Sequence, residues 1–227
     1  MTDYFVPRAI VFDMDGLLLD TERVALATFE ATCDQHNIVV DRTLYNRCIG
    51  TSSQGTAEIL REVLGSALYE RISRDWSTRY RARVTTRAVD IKAGAVELLN
   101  LARRLGLPLA LATSTHTELA NTKLRLAGLD GFFASIVGGD TVTRTKPHPE
   151  PYLTATRALG FAPDECWAIE DSENGVRAAH AAGLFVFQVP DLVQPSASVR
   201  SLGHSIVDSL SDIARLLAEK AERRTVT

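Results

Sequence analysis

Short unbroken apolar runs along this chain are separated by longer stretches in which apolar residues recur every three or four positions. The first run, Ala9 to Phe12, ends in Asp13 and Asp15 with Gly16 directly behind them. A run this short, rich in β-branched and aromatic residues, predicts a strand buried on both faces. Further strands are predicted at Pro108 to Thr113, Ala134 to Val137 and Cys166 to Glu170, with Leu184 to Val189 as the last. Between the first two strands the spacing predicts only helices. They cover 21–37, with Asp20 as N-cap, then the neighbourhoods of 41–48 and 54–64. A longer one carries Leu68, Ile72, Trp76, Tyr80 and Val84 at every fourth position, a stripe that reads as core packing. From Val89 onward helices and strands alternate, with helices near 94–105, 117–127, 150–159 and 174–182 and an amphipathic one after Ser211 or Asp212. Such alternation predicts an α/β fold, a parallel sheet with helices on both faces. The core is assigned to residues 1–19 plus 89–227, and 20–88 to a helical insertion after the first strand.

The polar residues that stand out all follow predicted strands. Asp13 and Asp15 end the first, Thr113 and Ser114 the second, Glu170 and Asp171 the fourth, and Lys146 lies in the loop after the third. Parallel strands bring their C-terminal ends to one edge, so these side chains are expected to converge. Asp13 and Asp15, two apart in extended backbone, leave on the same side, where like charges repel unless a cation or proton joins them. Carboxylate oxygens in this number suit a hard cation such as magnesium, which keeps waters and shares a phosphate oxygen. An ammonium and backbone N–H groups beyond a strand suit a phosphate. Together they fit phosphoryl transfer, in which positioning and charge neutralisation do most of the work.

Composition removes other classes. The chain has 227 residues, 45% hydrophobic and 23% charged, with a net charge of −3, which favours neither nucleic acid nor an anionic membrane as partner. Cys33, Cys48 and Cys166 have no metal-ligand spacing and fit a reducing compartment. No basic stretch followed by an apolar core opens the chain, and no apolar run approaches a membrane span, so a cytoplasmic location is expected.

Four segments in order carry a resemblance: Asp13-Met-Asp15-Gly16, Leu-Ala-Thr113-Ser114, Lys146-Pro147 and Ile-Glu170-Asp171-Ser172. The sequence resembles the haloacid dehalogenase-like superfamily of phosphatases over residues 8–190, most closely the subfamily of β-phosphoglucomutase and the small sugar-phosphate phosphatases. The resemblance implies a Rossmann-like core with a helical cap, and a role for each residue. Asp13 would attack phosphorus to form an aspartyl phosphate. Asp15 would protonate the leaving oxygen and then take a proton from water, with its pKa raised by phosphate and neighbouring carboxylates. Magnesium would be held by Asp13, the backbone carbonyl of Asp15, and Asp171, with Glu170 direct or through water. Thr113, the Ser114 N–H and Lys146 would hold phosphoryl oxygens. His148 and Ser172 are read as structural, a turn residue and a cap.

Departures from the family narrow the reaction. Asp15 argues against a dehalogenase, which needs no acid for a leaving oxygen. Residues 21–88 contain no lysine for the Schiff base of a phosphonatase. The cap histidine and arginine of β-phosphoglucomutase fall at Ala25 and near Ser53. The expected reaction is therefore magnesium-dependent hydrolysis of a small phosphorylated metabolite, a sugar or polyol phosphate, with Arg23, Arg47, Thr51, Ser52 and Gln54 as substrate-reading residues of the cap. A mutase using other cap residues and a non-catalytic phosphometabolite-binding protein remain as alternatives. A monomer is expected, and a dimer is compatible with the sequence.

Overall fold

The structure, a computed structural model, describes residues 4–39, 42–48 and 53–225, with only the backbone at residues 42, 46, 53, 54, 224 and 225. Strands β1 (Ala9–Phe12), β2 (Leu109–Ala112), β3 (Ser135–Val137), β4 (Cys166–Glu170), β5 (Phe185–Gln188) and β6 (Ser205–Ile206) form one parallel sheet. Its order is β3-β2-β1-β4-β5-β6. The chain therefore builds outward from β1 in one direction, then returns to build outward in the other. The strand order reverses between β1 and β4, the place where an open sheet leaves a crevice beyond its C-terminal ends.

Alternate residues of each strand face opposite layers of helices. Ile10, Phe12, Leu111, Trp167, Ile169 and Phe187 pack against α5 (Ala95–Arg104), α6 (Thr117–Ala127) and α10 (Leu210–Thr225). Ala9, Val11, Ala110, Ala112 and Ala168 pack against α7 (Glu150–Leu159), α8 (Glu173–Ala181) and α9 (Ala197–Arg200). All four residues of β1 are fully buried, as a strand covered on both faces requires.

The stretch after β1 holds α1 (Thr21–Gln35), α2 (Arg42–Cys48), α3 (Ser53–Leu64) and α4 (Ser66–Thr86), with no strand among its described residues. These helices enclose a cluster of their own, centred on Phe29, Tyr45, Leu60 and Ile72. Phe29 and Trp76 meet with ring centroids 4.9 Å apart, and the Trp76 Nε1–H donates to the Ala25 carbonyl at 3.1 Å. The two passages between this segment and the sheet run side by side. The Asp20 N–H donates to the Asp90 carbonyl at 2.8 Å, and the Lys92 N–H to the Leu18 carbonyl at 2.9 Å.

Three expectations are corrected. Asp20 precedes α1 but its side chain caps nothing; Arg23, one turn on, captures the carboxylate at 2.8 Å. The strand at Phe185–Gln188 is not the last, because β6 adds a two-residue parallel edge beyond it. The tail carries the short α9 as well as α10, which starts at Leu210. Among the described residues no helix is long and apolar enough to cross a membrane.

Candidate active site

Each strand end delivers its residue to the same edge. Asp13 directly follows β1, and its N–H donates to the Ile169 carbonyl at 3.0 Å, so the sheet ladder fixes the backbone at the carboxylate. Gly16 then turns the chain with φ of 85°, a left-handed conformation that suits glycine. A Cβ at that position would also collide with Asp171 Oδ2, so the turn and the acidic loop after β4 are packed backbone to side chain.

Asp13, Glu170 and Asp171 bring carboxylate oxygens within 4.8 Å of one another. Lys146, almost wholly buried, stands between two of them, its Nζ 2.5 Å from Asp13 Oδ1 and 2.5 Å from Glu170 Oε1. Burial works against the Lys146 charge, but Asp13 and Glu170 outweigh it and hold the ammonium above its ordinary pKa. Glu170 has no accessible surface and both its oxygens are engaged. Oε1 accepts from Lys146 and from the Tyr152 hydroxyl at 2.6 Å, while Oε2 accepts from the Asp171 and Ser172 N–H groups and the Ser172 hydroxyl. Asp171 differs, since its buried Oδ1 has no hydrogen-bond partner. Burial, with Asp13 and Glu170 alongside, pushes Asp171 well above the carboxylate range. Burial raises Asp13 too, to about 7, against the opposing charge of Lys146 and with help from Glu170 and Asp15. Two carboxyls that are this reluctant to ionise, one with an orphaned oxygen, are a donor set short of positive charge. The residues present fit a hard divalent cation.

Asp15 is held in a different field from Asp13. Its pKa is lowered, because the Lys123 charge and hydrogen bonds from Lys123, Thr115 and Thr21 together overcome the effect of burial. Lys123 Nζ lies 2.7 Å from Asp15 Oδ1, and Thr115 Oγ1 lies 2.7 Å from Oδ2. Thr113 is buried at the end of β2; its hydroxyl accepts the Thr115 N–H at 3.1 Å and reaches Asp15 Oδ2 only at 3.4 Å. Ser114 is exposed beside it. Ser172 caps α8 by accepting the Gly175 N–H at 3.1 Å, and His148 Nδ1 accepts the Glu150 N–H at 3.1 Å, both structural as expected.

Of the cap residues expected to read the substrate, the side chains of Arg23 and Arg47 are described. Arg23 binds Asp20 and lines a groove of about 450 Å³ with Thr28, Arg79, Arg83 and Asp90. Arg47 is exposed and pairs with Glu62 at 3.3 Å. Thr51 and Ser52 lie outside the described residues, as does the side chain of Gln54 in α3. Sequence reasoning missed Lys123, Thr115, Thr21, Tyr152 and Glu22. The neighbour of Arg23, Glu22, is raised to about 7 by burial and by the charges of Asp15 and Asp191. One signal was available: Lys123 sits with Ala120 and Leu124 on the apolar face of α6, where a lysine is out of place.

A parallel α/β core whose strand ends gather paired aspartates, a buried lysine and an acidic loop defines a hydrolase of the haloacid dehalogenase-like class. The chain belongs to that family: residues 10–189 match the haloacid dehalogenase-like hydrolases. It is 31% identical over 177 residues to the phosphorylated carbohydrates phosphatase of Thermotoga maritima, covering 78% of this chain and 82% of that one. It is 30% identical over 193 residues to the beta-phosphoglucomutase of Bacillus subtilis, covering 80% and 83%. Among solved structures, a haloacid dehalogenase family hydrolase from Deinococcus radiodurans with bound phosphate and sodium superposes with a TM-score of 0.81 at 26% identity, over 96% of this chain and 98% of that one.

Proposed function

We propose that the protein is a magnesium-dependent phosphomonoester hydrolase acting on a small sugar or polyol phosphate through an aspartyl phosphate on Asp13. The observation that carries this reading is the convergence of Asp13, Asp15, Lys146 and the orphaned Asp171 oxygen at one sheet edge. The likeness to a phosphatase of phosphorylated carbohydrates supports the substrate class.

Asp13 and Asp171 would hold the metal with their side chains and Asp15 with its backbone carbonyl. Glu170, its oxygens already engaged, would act through water and through its hold on Lys146. When bound, magnesium neutralises phosphate charge and relieves the repulsion among these carboxylates. Asp13 attacks phosphorus, the P–O bond to the substrate breaks, and the departing oxygen takes a proton from Asp15. Water then attacks the phosphoryl group, Asp15 recovers its proton from that water, and phosphate leaves with Asp13 regenerated. Lys146, Thr113 and the Ser114 N–H would bind phosphoryl oxygens. The Asp15 proton needed first is favoured by the arriving phosphate dianion, which opposes the hold of Lys123 on the carboxylate form. The helical segment 20–88 would act as a cap that closes over the site and excludes water.

The mutase reading has one observation in its favour, the likeness to a beta-phosphoglucomutase. Against it, position 25 is an alanine packed against the aromatic cluster, where that reaction calls for an imidazole. Phosphate release from a panel of sugar, polyol and nucleoside phosphates, with magnesium and with chelator, tests the proposal. Magnesium-dependent release that is lost in Asp13→Asn is expected. No release from any substrate by the folded protein overturns it, and conversion of a hexose 1-phosphate to its 6-phosphate without free phosphate favours the mutase.

A further inference from the structure

Lys123 is among the largest fully buried side chains, at 1% exposure, and it lies on the wall of the site without belonging to any of the four motifs. It leaves α6 from the face that carries Ala120 and Leu124, residues sealed into the core. An ammonium in such a place costs stability unless every donor finds a partner. Its partners are specific. Nζ meets Asp15 Oδ1 at 2.7 Å and Thr115 Oγ1 at 3.5 Å. The third side is closed by Tyr80 of α4, whose ring centroid lies 5.3 Å from Nζ. Thr115 in turn donates to Asp15 Oδ2 at 2.7 Å, so both oxygens of the carboxylate are anchored and its plane is fixed.

From this geometry we infer that Lys123 is a positioning residue for Asp15, and that Tyr80 makes this positioning depend on how the helical segment is seated on the core. The inference rests on the phosphatase reading, in which Asp15 delivers a proton to the departing oxygen. A misplacement of about 1 Å in such a group costs on the order of a hundredfold in rate, and the ammonium is the anchor that a neutral side chain cannot replace. The need for the proton depends on the leaving group. A sugar or polyol alkoxide cannot depart without one, whereas p-nitrophenolate can.

The test compares kcat/KM, which reports the step up to transfer onto Asp13, for glycerol 1-phosphate and p-nitrophenyl phosphate with magnesium. Lys123→Met is expected to lower the alkyl-to-aryl ratio by about ten- to a hundredfold, within the range general acids contribute. Lys123→Arg, which restores a cationic donor, recovers part of that ratio. Tyr80→Leu, which removes the aromatic face beside Nζ, lowers it by a smaller factor and remains informative if Lys123→Met does not fold. Equal loss on both esters, no loss on either, or an arginine variant no better than methionine overturns the role of Lys123 alone. A wild-type protein that releases phosphate from neither ester overturns the phosphatase reading, and the inference with it.

Discussion

The Lys146 ammonium lies 2.5 Å from Asp13 Oδ1, and each group is almost closed to solvent. With Glu170 as its second partner, Lys146 is the cation that makes three neighbouring carboxylates tolerable. Removing one partner of a buried pair leaves an uncompensated charge and costs about 3–5 kcal/mol. Lys146→Met is therefore expected to lose stability of that order in chelator, and to regain part of it in magnesium. Urea unfolding under both conditions checks this; equal stability of variant and wild type would show that the pair is not holding the loop.

The unpartnered Oδ1 of Asp171 sets a second expectation. Asp171→Asn keeps the shape but replaces a carboxylate oxygen with an amide. The magnesium concentration giving half-maximal activity should rise at least about tenfold, the scale on which such sites lose affinity. An unchanged magnesium dependence would remove Asp171 from the metal site.

Glu22 predicts a pH effect with a definite sign. Its pKa rises from an ordinary 4.5 to about 7 because it is buried beside Asp15 and Asp191. The folded protein thus keeps a proton that the unfolded chain has lost. The stabilisation is complete below about 4.5 and fades as pH rises through about 7, by about 3 kcal/mol at most. Asp13, also raised to about 7, acts in the same direction, and magnesium opposes its part by favouring the ionised form. Thermal melting in chelator should therefore move to lower temperature across this window, and Glu22→Gln should flatten the change. A melting temperature that climbs with pH in this window would contradict the assignment.

Much of the fold is legible where local chemistry and tertiary packing agree. Cys166–Glu170 is a strand at the expected bounds, and Gly128 ends α6 in the left-handed conformation. β6 is two residues long, too short for any periodicity to reveal. Asp20 carries good capping chemistry, but Arg23 lies near enough to take its carboxylate. In the site, strand-end logic brings Asp13, Lys146, Glu170 and Asp171 together from distant positions. The charge state of Asp15 could not be read this way, because it depends on Lys123 across 108 residues of sequence. Tyr152 and Glu22 likewise become site residues through helix packing, which single-sequence periodicity does not resolve.

The central claim is that Asp13 carries the phosphoryl group. Acid quenching during steady-state turnover, followed by mass measurement of the peptide containing Asp13, tests it directly. A fraction of that peptide heavier by one phosphoryl group, absent in chelator and in Asp13→Asn, is the predicted result. Continued turnover with that peptide unmodified, or the phosphoryl group on any other residue, would contradict the account.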